Sequence, residues 1–150
     1  MRGALALALV VLAACASGPP SPAALDTRTE ACRSCRMAVS EARFAAQIVA
    51  PGEEPKFFDD VGCLRDFLRA GGALPARSAA FVADHRTREW VKAAQAVYTR
   101  VPGLSTPMGS HLVAHADAAS RAADDLARGG TTLTAVEVFG AAPPTGGEAR

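Results

Sequence analysis

Three sulfur-containing side chains lie within six residues of this chain, in the segment Cys32-Arg33-Ser34-Cys35-Arg36-Met37. In an extended segment successive side chains point to opposite faces, so Cys35 and Met37 would project to the same side, about 7 Å apart. A thiolate and a thioether that reach toward one point suit a soft cation of low coordination number, such as Cu(I). Zinc rarely uses a thioether and would need a further Cys or His pair. The segment is therefore a candidate Cu(I) site.

The same residues are also compatible with a disulfide, a redox pair or simple packing. Cys-x-x-Cys, here Cys32 and Cys35, is the spacing of many redox pairs and disulfides. A methionine two residues later is compatible with an ordinary position in a core. The six residues alone leave these alternatives open.

The N-terminus has the pattern of an export signal. Arg2 supplies a positive charge, and an apolar run too short to span a bilayer follows it. The run ends in Leu12-Ala13-Ala14-Cys15, which resembles a bacterial lipobox, although an ordinary signal peptide with a chance cysteine is the alternative. We expect residues 1–14 to be removed and Cys15 to be lipidated, which would anchor the protein on a periplasm-facing membrane surface. Ala16 is not an obvious inner-membrane retention signal, which favours the outer membrane.

Lipidation of Cys15 reduces the number of thiols available for other chemistry. The chain has four cysteines, so three remain: Cys32, Cys35 and Cys63. An odd number in an exported chain leaves at least one sulfur outside intramolecular disulfides. This favours metal binding or reactivity for at least one of the three.

Composition limits the class of protein. A chain of 150 residues supports one compact domain, or two small halves that share a core. The formal net charge is +1 and the charges are interspersed, which is not the basic footprint of a nucleic-acid-binding protein. The sequence contains no Ser-His-Asp order, phosphate-binding loop or haem motif. We therefore expect neither nucleic-acid binding nor one of these common catalytic machineries.

The residues around the cysteine segment predict the order strand, strand, helix, strand. Residues 15–29 are small and rich in proline, which predicts a flexible tether. Asp59 and Asp60 can cap the helix, and Gly71-Gly72 can end it. Cys63 lies near the helix N-terminus, where the helix dipole lowers a thiol pKa, although its helical phase favours buried packing. The predicted elements are strands at 44–50, 56–58 and 80–84 and a helix at 61–70.

A similar order is predicted for the second half. Sliding the chain by 58 residues superimposes Asp59 on Asp117 and Gly71-Gly72 on Gly129-Gly130. We therefore predict an α+β fold of two tandem ββαβ repeats with small mixed or antiparallel sheets, at residues 30–85 and 86–140, followed by a loose tail at 141–150. The predicted elements are a helical linker at 90–95, strands at 96–100, 111–115 and 133–139, and a helix at 118–128 capped by Asp117.

Outside the cysteine segment, one methionine and three histidines are further candidates. Met108 lies between Pro107 and Gly109, so a turn is expected to present its side chain rather than bury it. His111, three residues later, is a possible additional ligand. His111 and His115 are predicted to face one side of a strand, and His85 is interpreted as a turn residue.

Four motifs in order give the chain its resemblance to a known family. The resemblance is to the NosL family, and it runs from about residue 30 to 140 and includes the lipoprotein signal. It implies a two-repeat α+β fold similar to the organomercurial lyase core. It also implies that the protein delivers Cu(I) to the membrane-associated assembly machinery of nitrous oxide reductase, a NosDFY-type complex, or to the reductase itself. The motifs are Cys32-x-x-Cys35-x-Met37, Phe58-Asp59-Asp60-x-Gly62-Cys63, Asp84-x-x-Thr87-x-Glu89-Trp90-x-x-Ala93 and Thr106-Pro107-Met108-Gly109.

Carried over residue by residue, the resemblance implies a set of copper ligands. Cys35 and Met37 are the expected primary ligands and Met108 the expected third. Cys32 matches the family pattern and is a possible alternative ligand, or it could oxidise with Cys35 and block metal binding. His111 is not part of the motif. The resulting hypothesis is a metallochaperone and not an enzyme. Its alternatives are a thiol-disulfide or organomercurial-lyase-like enzyme, and a structural lipoprotein with a Cys32–Cys35 disulfide.

Overall fold

The structure is a computed structural model that describes residues 18–71 and 73–147. The predicted signal peptide, the lipobox cysteine Cys15 and Gly72 lie outside the described residues. Two small antiparallel sheets and a few short helices form the fold, so the predicted α+β class is confirmed. The elements are β1 (Ala46–Val49), β2 (Lys56–Phe58), α1 (Val61–Arg69), β3 (Ala79–Ala83), β4 (Trp90–Lys92), β5 (Val97–Arg100), β6 (Leu112–His115), α2 (Ala118–Ala122), β7 (Thr131–Leu133) and α3 (Ala135–Phe139), with 3-10 turns at Ala42–Phe44 and Asp125–Ala127.

The two sheets are built on one plan. The first has the strand order β2-β1-β3-β4, and the second has the order β6-β5-β7. In each sheet the strand that comes first in sequence lies between the next two, and a helix connects those two. The order strand, strand, helix, strand therefore occurs twice, with β4 added to the edge of the first sheet and α3 following the second.

One apolar core joins the two halves. Burial of each large apolar side chain contributes about 1.5–3 kcal/mol to folding. The only tyrosine, Tyr98, lies in this core, where its hydroxyl donates a hydrogen bond to the carbonyl oxygen of Ala93 at 2.7 Å. The large core side chains include Ile48, Phe57, Phe58 and Leu64 from the first half and Tyr98, Leu112, Val138 and Phe139 from the second.

Helix α1 begins as the sequence predicts. The Asp60 carboxylate accepts a hydrogen bond from the Gly62 N–H at 2.6 Å, which makes Asp60 the N-cap. Asp59 is not the cap, and its side chain faces the cysteines instead. The residues that cap α1 and α2 are thus Asp60 and Asp117, which are 57 positions apart (117 − 60) and not 58.

Segment 90–95, predicted to be a helical linker, instead contains strand β4. Val91 pairs with Val82 and Trp90 pairs with Ala83 on the open edge of β3. Pairing with that edge satisfies backbone N–H and C=O groups, which outweighs the local helical preference of the segment. The prediction was wrong because the strand conformation of this segment depends on its pairing with β3, which lies outside the segment itself.

The last two elements of the second half also differ from expectation. The predicted strand at 133–139 is wrong, because β7 ends at Leu133 and α3 follows. Thr134 and Glu137 form a capping box at the start of α3. The predicted helix at 118–128 ends at Ala122, and Asp124 begins a separate 3-10 turn. The Thr-x-x-Glu spacing was a signal for α3, but the β-branched residues around it favoured a strand.

The segments predicted to be loose at either end are packed in part. The Ala80 N–H donates to the Pro144 carbonyl oxygen at 2.8 Å and the Gly146 N–H to that of Ser78 at 2.9 Å, so the tail lies along β3 there. Near the other end, the Ala23 N–H donates to the Gln47 side chain at 2.8 Å. Within the described ranges, no helix has the length and apolar character needed to cross a membrane.

Asp84, just after β3, links the two halves. Its Oδ1 accepts hydrogen bonds from the N–H groups of Arg86 and Thr87, both at 2.9 Å. Its Oδ2 accepts from the Ala116 N–H at 2.7 Å and the Ser120 hydroxyl at 2.6 Å. Burial alone would raise the pKa of Asp84, but these hydrogen bonds outweigh burial and lower the pKa to about 2.

Candidate metal centre

The segment from Cys32 to Met37 is a tight turn and not an extended strand. The Cys32 N–H donates to the Met37 carbonyl oxygen at 2.7 Å, and the Arg36 N–H donates back to that of Cys32 at 3.0 Å. Arg36 has a φ of 68°, in the left-handed region. The prediction that Cys35 and Met37 face the same side of a strand is therefore wrong. Instead, Cys35 is half-buried and the Met37 side chain is 56% exposed.

The turn brings its two cysteines to the start of α1. The sulfur atoms of Cys32, Cys35 and Cys63 and a carboxylate oxygen of Asp59 all lie within 4.8 Å of one another. The Cys35 thiol donates toward Asp59 and lies 3.6 Å from both of its carboxylate oxygens. All three cysteines are free thiols, and only Cys35 is not fully buried. We call these four residues the thiol cluster; its donor set is able to hold a metal ion.

The sequence did not predict that Asp59 and Cys63 join this group. Asp59 was interpreted as a helix cap, and Cys63 was expected to be buried beside the apolar face of α1. Cys63 is indeed buried, yet its sulfur faces the cluster. The available signal was that two ligand-type residues, Asp59 and Cys63, flank the start of the predicted helix within four positions.

Burial raises the pKa of two thiols of the cluster, those of Cys35 and Cys63. It raises the pKa of Cys35, an effect partly offset by a backbone hydrogen bond at Met37. Burial, followed by hydrogen bonding with Asp59, raises the pKa of Cys63 far above the usual value. These effects outweigh the lowering of the Cys63 pKa that was expected from the helix dipole. Both thiols are protonated at neutral pH in the metal-free protein, and a metal that binds to either must displace a proton.

The loop at residues 106–110 lies against the start of α1. The Met108 N–H donates to Asp60 Oδ2 at 3.0 Å, and the Ser110 hydroxyl donates to Asp60 Oδ1. A Cβ atom at Gly62 would lie 2.6 Å from the Cβ of Ser110, so only glycine permits this close approach. The Met108 side chain is 44% exposed, as the predicted turn requires. Asp60 therefore fixes an exposed thioether beside the helix start that carries Cys63.

The expected ligands thus lie on two neighbouring loops. The structure brings Cys32 and Cys35 together, and it leaves the side chains of Met37 and Met108 exposed at the surface. His111 is engaged elsewhere, because its Nδ1 lies 2.7 Å from the carbonyl oxygen of Leu104. It belongs to neither of the groups of ligand-type side chains found among residues 18–71 and 73–147.

The second of these groups is buried between the two halves. His85 Nδ1 lies 2.6 Å and His115 Nε2 lies 3.0 Å from the same oxygen, Oδ2 of Asp124. We call these three residues the histidine cluster. His85 lies in a turn, as predicted, but its side chain is buried and its ring faces Asp124. The prediction that His111 and His115 share a face is wrong, because His111 has a left-handed backbone just before β6.

Comparison with known proteins agrees with the motifs of the chain. The sequence profile of the NosL family matches residues 22–142, which is most of the chain. No curated protein and no solved structure shows significant similarity to it. A cluster of three thiols together with this match fits a copper-binding role. The chain therefore belongs to the NosL family.

Proposed function

We propose that this protein is a Cu(I) metallochaperone that supplies copper for the assembly of nitrous oxide reductase. The observation that carries the proposal is the half-buried Cys35 thiol, which lies within a group of three thiols and two residues from an exposed methionine. Sulfur donors select a soft monovalent ion over harder competitors. Partial exposure of the donors gives another protein access to the ion.

The ligands that we propose are Cys35, Met37 and Met108. Cys35 is the most accessible thiol of the cluster, and the two thioethers are exposed on the loops that border it. Cys32 is within reach as an alternative thiolate ligand. The Asp59 carboxylate is a hard donor and a poor ligand for Cu(I), so its role is to orient the Cys35 thiol through their hydrogen bond.

This donor arrangement suits transfer better than storage. A two- or three-coordinate Cu(I) ion leaves room for a sulfur or imidazole of an acceptor to attack before the donor's bonds break. Met37, at 56% exposure, is the ligand that an acceptor can displace first. The acceptor that we propose is the NosDFY-type assembly complex in the membrane, or the reductase itself.

Lipidation at Cys15 completes the proposal. An acylated cysteine would hold the protein at a periplasm-facing membrane surface, with the outer membrane favoured, and would raise its effective concentration near membrane-bound acceptors. The folded core lies within residues 18–147, so the segment that follows Cys15 before the described residues is short. The copper site would therefore be held close to the membrane surface.

The test is an anaerobic Cu(I) titration of residues 16–150, combined with X-ray absorption to count the sulfur donors. We expect one Cu(I) per chain and a shell of two or three sulfurs. Cys35→Ser and Met37→Leu should both weaken binding, while Ser34→Ala, an exposed position in the same turn, should not. Unchanged affinity in both ligand variants, or a shell of nitrogen and oxygen only, would refute the proposal.

One observation favours a second candidate, an organomercurial-lyase-like enzyme. Cleavage of a carbon–mercury bond needs thiols to bind the metal and a proton for the carbon that leaves, and the thiol cluster contains three thiols and a carboxylate. The Cys35 thiol lies 3.6 Å from Asp59 and would provide the proton. Release of the hydrocarbon from an organomercurial by the purified protein, at many turnovers per chain with excess free thiol present to remove the Hg(II), would support this candidate. Stoichiometric mercury binding without release would exclude it.

A further inference from the structure

We propose that the histidine cluster is a second metal site, chemically distinct from the thiol cluster, which binds a divalent first-row ion such as Zn(II) or Cu(II). The ligand atoms are His85 Nδ1, His115 Nε2 and Asp124 Oδ2. All three lie within 4.8 Å of one another. The site does not depend on the copper-delivery function and includes none of the proposed Cu(I) ligands.

The three ligands come from separate elements that the fold holds rigidly. His85 follows β3, and its N–H donates to the Ala114 carbonyl oxygen at 2.8 Å. His115 is the last residue of β6 and is 0% exposed. Asp124 lies between α2 and the 3-10 turn, where its Oδ1 accepts from the Leu126 N–H at 3.0 Å. These backbone anchors fix the position of each ligand before any ion binds.

The spacing needs only a small adjustment to accept an ion. The two nitrogens lie 2.6 Å and 3.0 Å from the Asp124 oxygen. Ligands around tetrahedral zinc, each about 2.0–2.1 Å from the metal, are separated by roughly 3.3 Å. An outward shift of a few tenths of an ångström would convert the hydrogen-bonded group into a coordination site. An ion that enters would displace the two protons that now lie between the ligands, and each neutral ring would then carry its proton on the opposite nitrogen, His85 Nε2 or His115 Nδ1.

Charge balance favours an ion at this position. The Asp124 carboxylate is 7% exposed, and the side-chain partners found for it are the two imidazoles. A neutral imidazole donates a hydrogen bond but brings no positive charge, and a buried carboxylate is stable only when its charge is compensated. A divalent ion bound to two neutral imidazoles and one carboxylate supplies that compensation.

Within residues 18–71 and 73–147, the hydrogen bonds to Asp124 leave one nitrogen of each histidine ring without a partner. His85 Nε2 and His115 Nδ1 are buried and have no hydrogen-bond partner among the described residues. Buried polar atoms without a partner are rare in folded proteins, and a bound ion nearby is one of their recognised causes. Coordination through the opposite nitrogen of each ring would not itself give these atoms a partner, but the metal–nitrogen bonds would compensate for the cost of burying both rings.

The donor set selects the class of ion. Two imidazoles and a carboxylate are borderline to hard ligands, which suit divalent ions and are poor ligands for Cu(I). Three protein ligands leave a fourth position for water, as in many zinc sites. The Phe44 ring, 5.2 Å from the His85 ring, shields one side of the group. An ion at this site would exchange slowly and would tie β3, β6 and the segment after α2 together.

The experiment uses the full chain in detergent, titrated separately with Zn(II) and with Cu(II). Imidazole nitrogen resonances report Zn(II) binding, and electron paramagnetic resonance reports nitrogen coupling to Cu(II). We expect one equivalent of either ion to shift the His85 and His115 signals. His85→Gln and His115→Gln should lower the affinity by more than about 100-fold, whereas the exposed His111→Ala should leave it unchanged.

The outcomes separate this proposal from the copper-delivery function. Divalent ions that bind only with sulfur coordination, or imidazole signals that do not move at saturation, would overturn it. If His115→Gln does not fold, the wild-type imidazole spectra with and without ion decide the question alone. Loss of Cu(I) binding in Cys35→Ser has no bearing on the result, because that thiol is not part of the histidine cluster.

Discussion

The thiol cluster and the histidine cluster are both arranged around one aspartate, Asp59 in the first and Asp124 in the second. They differ in donors and in access. The thiol cluster has soft sulfur donors, and its Cys35 is carried on a turn and half-exposed. The histidine cluster has nitrogen and oxygen donors, and all three residues are buried at the junction of the two halves. The same fold thus provides one site open to exchange and one closed to it.

If both proposals hold, access to the ion, and not affinity alone, separates a carrier site from a structural one. An ion held by partly exposed sulfurs can be attacked by a partner's ligands. An ion held behind the strand ends of β3 and β6 cannot leave without local opening of the fold. The predictions that follow test whether the two clusters are independent in this way.

The largest expected effect is that a ligand variant in either cluster loses the metal of that cluster and keeps the metal of the other. Cys35→Ser should lower Cu(I) affinity by more than about 100-fold, because it removes a ligand and not merely a supporting contact. The same variant should bind Zn(II) at the histidine cluster as the wild type does. His115→Gln should show the opposite pattern. Competition titrations with chromophoric chelators measure both affinities, and a parallel loss in one variant would show that the clusters are coupled.

The next effect concerns the anchor of the Met108 loop. Asp60→Ala removes the cap of α1 and the hydrogen bonds to Met108 and Ser110, so we expect it to lower the free energy of unfolding by about 3 kcal/mol. Cu(I) affinity should fall as well, while Zn(II) affinity should not. Asp117→Ala removes only a helix cap and should cost about 1 kcal/mol. If urea unfolding shows that Asp60→Ala and Asp117→Ala lower the free energy of unfolding equally, the contacts of Asp60 with the Met108 loop contribute nothing to stability.

Asp84, which borders the histidine cluster, should make stability depend on pH. Its folded pKa of about 2 lies below the ordinary 3.8, so its contribution is present above that value and is lost as the pH falls toward 2. A lowering of this size corresponds to about 2 kcal/mol at neutral pH. Asp84→Asn should therefore destabilise the protein by about that amount at pH 7 and by little near pH 2.

Urea unfolding of the wild type and of Asp84→Asn between pH 7 and pH 2 measures this difference in the free energy of unfolding directly. Asp66→Asn, at an exposed aspartate of α1, is the matched control and should show no comparable dependence. A deficit in Asp84→Asn that stays constant from neutral to acidic pH would contradict the assignment. Neither variant should alter Cu(I) affinity at neutral pH, since Asp84 lies outside the thiol cluster.

The smallest effect should come from a position remote from both clusters. Thr134→Ala breaks the capping box of α3 and should cost about 1 kcal/mol. Thr132→Ala, an exposed position in β7, should stay within about 0.5 kcal/mol. Both metal affinities should be unchanged. A change in either affinity would show that global stability, and not local geometry, controls metal binding.

Local patterns in the sequence predicted several features of the fold. Asp60 ahead of an apolar helical face predicts α1 and its cap, because capping depends on residues two or three positions apart. The turn around Pro107-Met108-Gly109 predicts an exposed methionine, because it depends only on neighbouring backbone angles. The prediction of β4 failed for the opposite reason: its strand conformation depends on pairing with β3.

By itself, the sequence determined the sulfur-rich segment, the class of fold and the family, because motif spacing and short-range periodicity depend on residues that are close together in the chain. Only the tertiary structure decided that Asp59 and Cys63 join the two cysteines of that turn, and that His85, His115 and Asp124 meet at all. Positions 85 and 124 are brought together by the packing of two sheets, and no local rule encodes such a contact. Chemistry that depends on residues from distant elements becomes visible only once the core has formed.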